Sequence, residues 1–246
     1  MSRVLPLQTH PPATPITRAH SPGGPYPRFR QCARWDFGFT CAFCLLHESD
    51  IIDTGVEGWG ATSIEHHELK SEKTGRMNDY TNCLYACKLC NQSRSTHETE
   101  DEGGRQLLDP STVAWGVRFR LVGFQLRPAL DDDADARYTW DSYKLDDPRK
   151  VAIREKRFEE IRRTLERRSR LEETSRRLRE TALAHPDGAI AGELIRCAGE
   201  LSGHARDLVA GLRAAHAVVP ADAAAECGCD ASRAVPRWLL DQTQDI

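Results

Sequence analysis

Two Cys-x-x-Cys pairs, Cys41-Ala42-Phe43-Cys44 and Cys87-Lys88-Leu89-Cys90, stand 42 residues apart and constrain this chain more than any other feature. Each short turn points two sulfurs the same way. Two such turns can place four thiolates tetrahedrally around one Zn²⁺. A metal held like this ties distant segments together, and it contributes on the order of 10 kcal/mol of folding free energy in zinc-binding peptides. A chain that is 29% charged and only 39% hydrophobic, with a mean hydropathy of −0.56, is too polar for one large, well-filled core and gains from such a staple. Four cysteines also close the coordination shell, so this zinc is expected to hold the fold and not to catalyse. A redox dithiol is the weaker reading, because no thioredoxin-like βαβ pattern surrounds either pair.

The other cysteines are Cys32, Cys83, Cys197, Cys227 and Cys229, for an odd total of nine. That count, and the missing basic n-region and apolar h-region, argue against a secreted disulfide scaffold and point to the cytoplasm. No stretch reaches the roughly 18 apolar residues of a membrane span. The formal net charge is −3, so any nucleic-acid binding must come from a local patch. Cys83 reads as a small core hydrophobe, and Cys227-Gly228-Cys229 as part of a flexible tail.

Residues 1–30 hold seven prolines and read as a disordered or loosely draped tail. Residues 31–105 carry the chemical signals and form the expected domain. Residues 106–148 read as an irregular connection with short strands around Val117–Phe124. Residues 149–216 read as a helical hairpin, with Asp147 as N-cap, Pro148 at the first helical position and Pro186-Asp187-Gly188 as the break. Ile190, Leu194, Cys197, Leu201, Leu208 and Leu212 give the second helix an apolar face. Residues 217–246 read as a flexible tail.

Between the knuckles lies Thr62-Ser63-Ile64-Glu65-His66-His67-Glu68-Leu69-Lys70, and then Asn82-Cys83-Leu84 before the second pair and Asn91-Gln92-Ser93-Arg94 within and after it. The order CxxC, an acidic residue and His, Asn-x-Leu, then CxxC-Asn-x-x-Arg resembles the zinc-supported branch of the HNH endonuclease superfamily. The likeness covers residues 41–95. More loosely, segments 107–127 and 138–157 resemble HNH proteins encoded beside ATPases in phage-defence loci. The resemblance implies an α+β chain: a small ββα-metal, treble-clef-like nuclease domain with a mainly helical C-terminal extension. It also implies one catalytic Mg²⁺ or Mn²⁺ in addition to the structural Zn²⁺, DNA as substrate, and a partner ATPase. The 149–216 helices are the expected site for that partner or for a homodimer.

The residue types suit this chemistry. Glu65 is a hard oxygen ligand for such an ion, and His66, with an unperturbed pKa of about 6.5, can serve as general base. By analogy Asn91 is the second metal ligand, and Asn82 braces the metal loop and orients His66. Arg94, one turn beyond Asn91, is expected to hold a scissile-strand phosphate. The adjacent histidines leave a second register open, with His66 as ligand and His67 as base. The run Glu-His-x-x-x-Lys ending at Lys70 favours the first. Lys70, Lys73, Arg76, Lys88, Arg94 and Arg105 are candidates to line a DNA groove. His97 reads as solvated surface.

The 149–180 helix holds 13 basic and 7 acidic residues. It reads either as a solvated helix stabilised by i,i+4 pairs such as Arg162–Glu166 and Arg168–Glu172, or as a basic face for DNA. The competing class of function is a non-catalytic zinc adaptor for nucleic acid or protein.

Overall fold

The first knuckle closes on itself before any distant residue joins it. The Cys41 amide donates to the Leu46 carbonyl and the Leu45 amide to the Cys41 carbonyl, each at 2.9 Å, and one antiparallel bridge joins Thr40 to His47. Leu45 takes a φ of 60° to complete the turn, a left-handed position that side chains resist. The computed structural model describes residues 6, 8–52, 62–69, 74–94, 97–220, 223, 229 and 233–243. The chain divides into two units. One is Gln8–Glu155 with Val218–Thr243, and the other is Lys156–Ala217 with the extreme termini.

In the first unit, α1 (Phe29–Asp36) leads into the knuckle and α2 (Glu48–Ile52) leaves it. Strands β1 (Thr62–His66) and β2 (Cys83–Cys87) pair antiparallel, with Thr62 opposite Cys87 and His66 opposite Cys83. Helix α3 (Lys88–Arg94) begins at the residue after β2, so the second knuckle spans the strand–helix junction. The Ala42 amide donates to the Tyr85 carbonyl at 2.8 Å and ties the first knuckle to β2. A short helix, α4 (Trp115–Arg118), precedes a second hairpin of β3 (Phe119–Val122) and β4 (Gln125–Pro128). Gly123 turns that hairpin with a φ of 59°. Then comes α5 (Ala134–Ser142), capped by the Asp133 carboxylate, which accepts the Ala136 amide at 2.9 Å. The unit therefore mixes helices with small antiparallel sheets, as the α+β expectation had it, and the short strands fall near Val117–Phe124.

Aromatic rings fill the core. Phe43 stacks on Tyr143 at 3.7 Å, and the buried Trp115 indole donates to the Phe43 carbonyl at 3.1 Å. Each fully buried ring of this kind contributes about 1.5–3 kcal/mol through area removed from water. Several buried charged groups are paired across elements. Arg34 forks onto Glu48, Glu48 also accepts the Tyr85 hydroxyl, and Tyr85 reaches Thr62 at 2.9 Å. Asp36 accepts the Tyr80 hydroxyl and pairs with His20 at 2.6 Å.

The two tail expectations are corrected. Residues 8–30 pack onto the core: Ile16 is buried and its amide donates to the Pro110 carbonyl at 2.9 Å. Arg18 lies over the Phe37 and Tyr80 rings and donates to the Cys83 carbonyl at 2.7 Å. A proline-rich segment needs no ladder partner to pack, only a groove that fits an extended chain. At Gly116 such a groove is open, because a Cβ there would lie 3.0 Å from the Pro11 and Pro12 carbonyls. The described C-terminal residues pack as well. Val218 accepts from the His47 ring at 3.1 Å, and the helical turn α8 (Arg237–Leu240) buries Leu239 beside Gly38. The expected 31–105 domain is therefore part of a larger unit that includes the 106–148 segment and both flanks.

Helix α6 (Pro148–Ala184) begins in the first unit, where the Arg149 amide donates to the Asp147 carboxylate at 2.8 Å. In the second unit it forms a hairpin with α7 (Gly188–Ala215), whose N-cap is Asp187. The helices meet where the Ser175 hydroxyl donates to the Ala198 carbonyl at 2.7 Å. The buried face of α7 is Ala198, Ala205, Val209 and Leu212, while Ile190 is exposed. Leu194, Cys197, Leu201 and Leu208 are half-buried on the same side, so the expected apolar face is present apart from Ile190 and includes the small Ala198 and Ala205. The Arg162–Glu166 and Arg168–Glu172 pairs are present, each worth a few tenths of a kcal/mol on an exposed helix.

Candidate metal centre and the hairpin beside it

Cys41, Cys44, Cys87 and Cys90 are buried, and their sulfurs all lie within 4.8 Å of one another. Cys44 and Cys87, one from each knuckle, are 3.6 Å apart. A tetrahedral Zn²⁺ with bonds of about 2.3 Å requires sulfurs about 3.8 Å apart, so the donor set fits. The four can hold a structural metal such as zinc. The Cys90 amide points at the Cys87 sulfur at 3.4 Å, the usual way a knuckle turn supports its thiolate.

The sulfurs also govern one another's ionisation. Burial pushes the Cys44 thiol up, but hydrogen bonds from Cys41, Cys87 and Cys90 outweigh it and hold it well below its ordinary value. The Cys87 thiol is pushed up by Cys41 and Cys44, and the Cys90 thiol by burial and then Cys41. A divalent cation removes this conflict by stabilising every thiolate at once.

Two cations from the first turns of α6 complete the centre, and the spacing of the cysteines gave no sign of either. Lys150 is buried, with its ammonium on the Tyr143 and Lys144 carbonyls. Burial works against its charge, yet the thiols of Cys90, Cys44, Cys87 and Cys41 outweigh that and push its pKa up to about 12. Arg154 donates to the Cys44 carbonyl at 2.6 Å and to the Phe124 carbonyl at 3.0 Å. A zinc with four thiolates carries two net negative charges, and Lys150 and Arg154 supply two positive ones beside it.

The hairpin sorts the remaining candidates by face. Ser63 and Glu65 turn toward α3: the Asn91 amide donates to the Ser63 hydroxyl at 2.6 Å, and Arg94 meets the Glu65 carboxylate at 2.9 Å. Thr62 and His66 turn the other way, Thr62 to Arg30 and Tyr85, His66 to the edge of the Tyr26 ring at 4.9 Å. This is the period-2 alternation of a strand. It brings Glu65 and Asn91 to one face and sets His66 on the opposite one.

The His66 ring is fixed by a hydrogen bond of 2.9 Å between Nε2 and the Met77 carbonyl. A carbonyl only accepts, so Nε2 carries a proton. His67 follows the end of β1, and its amide donates to the Asn82 carbonyl at 2.9 Å. Its Nδ1 is buried without a hydrogen-bond partner, and burial, opposed by Asp109, lowers its pKa.

Asn82 is buried and braces the loop between the strands. Its side chain accepts the Glu68 amide at 2.7 Å and donates to the Glu68 and Arg76 carbonyls at 3.0 and 3.3 Å. The bracing role expected for it matches these bonds, whereas the group that fixes His66 is the Met77 carbonyl.

Arg94 is corrected. Its side chain is 0% exposed. Its guanidinium is spent on the Glu65 carboxylate, the His66 and His67 carbonyls and the Thr99 hydroxyl. A side chain so enclosed braces the hairpin and cannot reach a phosphate.

Of the cations expected to line a basic groove, Arg94 is thereby removed. Arg76 is paired with Glu68 and Asp79, and Arg105 with Asp101. Lys88 is exposed at the start of α3, whereas Lys70 and Lys73 lie outside the described residues. His97 is partly exposed against Tyr138.

Among the described residues, the four cysteines are the only group of three or more His, Cys, Asp or Glu donors close enough to share a metal. No family model, curated protein or solved structure matches the chain.

Proposed function

We propose that the chain is a metal-dependent endonuclease of the HNH type that hydrolyses DNA phosphodiester bonds. One observation supports this reading above the others. Glu65 and Asn91 put two oxygen-bearing side chains on the same face of a strand–strand–helix unit whose junction holds the four-cysteine cluster.

In this reading Glu65 and Asn91 hold Mg²⁺ or Mn²⁺, a hard cation that keeps several waters and so needs few protein ligands. When bound, such an ion supplies Lewis-acid stabilisation of charge on the phosphate oxygens. Glu65 would share its carboxylate between the cation and Arg94. For His66 to take the proton of the attacking water, the end of β1 would have to turn its ring to the Glu65 face, away from the Met77 carbonyl that now holds it. Asn82 keeps the intervening loop in place, and Lys88 meets the DNA backbone. The expected products are a 5′-phosphate and a 3′-hydroxyl. The α6–α7 hairpin is the docking arm, for a companion ATPase in phage defence or for a second copy that makes the second cut.

A second reading, a non-catalytic zinc adaptor for nucleic acid or protein, has its own support. The Glu65 carboxylate is already neutralised by a buried Arg94, and His66 lies across the strand from it.

A plasmid-nicking assay with zinc-loaded protein separates the two. The nuclease reading expects cleavage with Mg²⁺ or Mn²⁺ and none without. Glu65→Gln, Asn91→Ala and His66→Ala should each abolish it while zinc content stays constant. Normal cutting by His66→Ala with loss in His67→Ala moves the base to His67. DNA binding with no cutting under any divalent ion leaves the adaptor.

A further inference from the structure

Outside the metal centre, a second pair of sulfurs is in contact. Cys32 and Cys229 lie 197 positions apart in sequence, yet their sulfurs are 3.7 Å apart. Neither belongs to the four-cysteine cluster. Cys32 is fully buried in α1, and Cys229 is half-buried against the same core. We propose that Cys32 and Cys229 form an oxidisable dithiol, a modification site that hydrogen peroxide converts to a disulfide.

A disulfide holds its sulfurs about 2.05 Å apart, so the two must close by about 1.7 Å, which side-chain rotation supplies. The Cys229 thiolate is the more accessible nucleophile and attacks peroxide first. The O–O bond breaks, a sulfenic acid forms at Cys229, and one water leaves. The Cys32 thiolate then attacks the Cys229 sulfur, and the sulfenic oxygen departs as a second water. In total two thiols and one peroxide give one disulfide and two waters, and the two electrons lost by sulfur reduce the peroxide.

The bond would add a covalent anchor to contacts that already hold the C-terminal segment. These are the His47 ring on the Val218 carbonyl, Leu239 beside Gly38, and the Gln242 side chain, which accepts the His10 amide at 2.7 Å. α1 in turn carries Arg30 and Arg34, which reach Thr62 and Glu48 behind the β1–β2 hairpin. Oxidation therefore fixes the C-terminal segment to the element that backs the hairpin.

The test treats full-length, zinc-loaded protein with stoichiometric hydrogen peroxide and reads intact mass, thiol titre, zinc content and non-reduced tryptic peptides. The expected result is loss of two thiols and two hydrogens with zinc retained. The peptide 31–34 should be linked to the peptide 214–233, and dithiothreitol should reverse the link. That peptide also contains Cys227, so Cys227→Ser should keep the link while Cys32→Ser and Cys229→Ser lose it. Cys229 is the more tolerant position, so its variant decides the matter if Cys32→Ser does not fold. A link that survives in Cys229→Ser, a Cys227–Cys229 bond, oxidation confined to the knuckles with zinc release, or an unchanged thiol titre would each overturn the proposal.

Discussion

Replacing Arg94 by Met tests the most consequential assignment in the hairpin. The side chain is 0% exposed and its Glu65 partner 7%. Removing the guanidinium leaves a buried carboxylate without its countercharge, and breaking one side of a buried pair costs about 3–5 kcal/mol. The His66 carbonyl loses its Arg94 donor as well, and the His67 carbonyl keeps the Thr99 hydroxyl at 3.1 Å. An unsatisfied buried acceptor costs about 1–3 kcal/mol, although carbonyls at a strand end recover part of that from water. These losses overlap, so we expect a total of about 4 kcal/mol. The assay is urea unfolding of zinc-loaded protein followed by tryptophan fluorescence. The double variant Arg94→Met/Glu65→Gln should recover part of the loss, because the stranded charge is gone. A single variant that loses less than about 1 kcal/mol would refute the buried-brace assignment, since truncating a partner in a buried pair should cost several times that. If that variant also bound DNA more weakly, Arg94 would return to the role of phosphate ligand.

Asn82→Ala removes three side-chain hydrogen bonds from the loop. It should cost about 2–3 kcal/mol at about 1 kcal/mol each, with faster amide exchange at Glu68. Gly38→Ala puts a Cβ 2.9 Å from Leu239 at a φ of 59°. It should cost about 1–2 kcal/mol and raise protease sensitivity near residue 239. A third prediction concerns acid. The Arg149 hydrogen bond outweighs burial and holds the Asp147 carboxyl below its usual value. A depressed folded pKa adds stability that is complete above the unfolded value of about 3.9 and is lost as pH falls through the folded one. Asp147→Asn should flatten that part of the urea-midpoint profile below about pH 4, and a profile unchanged by the substitution would count against the cap.

What the sequence revealed depended on how far each interaction reaches along the chain. The knuckles were legible because a CxxC turn is a local geometry, whereas the hairpin and α3 were expected only through the family resemblance that the residues between and just after them carry. Asp147 announced its helix because a cap acts within three residues, whereas Pro186-Asp187-Gly188 announced only the break and the cap at Asp187 came from the fold. Arg94 was read by its chemistry and misjudged by its burial: its type and spacing are those of a phosphate ligand, and only the packed fold shows both of its terminal NH groups already engaged. Lys150 and Arg154 gave no signal, because their tie to the cysteines closes over about a hundred residues. The proline-rich start misled for a different reason. Proline forbids ladders, but Ile16 and Arg18 need only a side-chain slot and two carbonyls from far along the chain.

The unit that holds the cysteines is discontinuous, made of 8–155 and 218–243. During synthesis the four cysteines are made before α6 and α7, and the segment that covers Gly38 and meets Cys32 only after them. The nascent protein therefore spends the translation of more than a hundred residues with its zinc ligands available and that flank bare. The four thiols are thus open to a metal before that flank is closed.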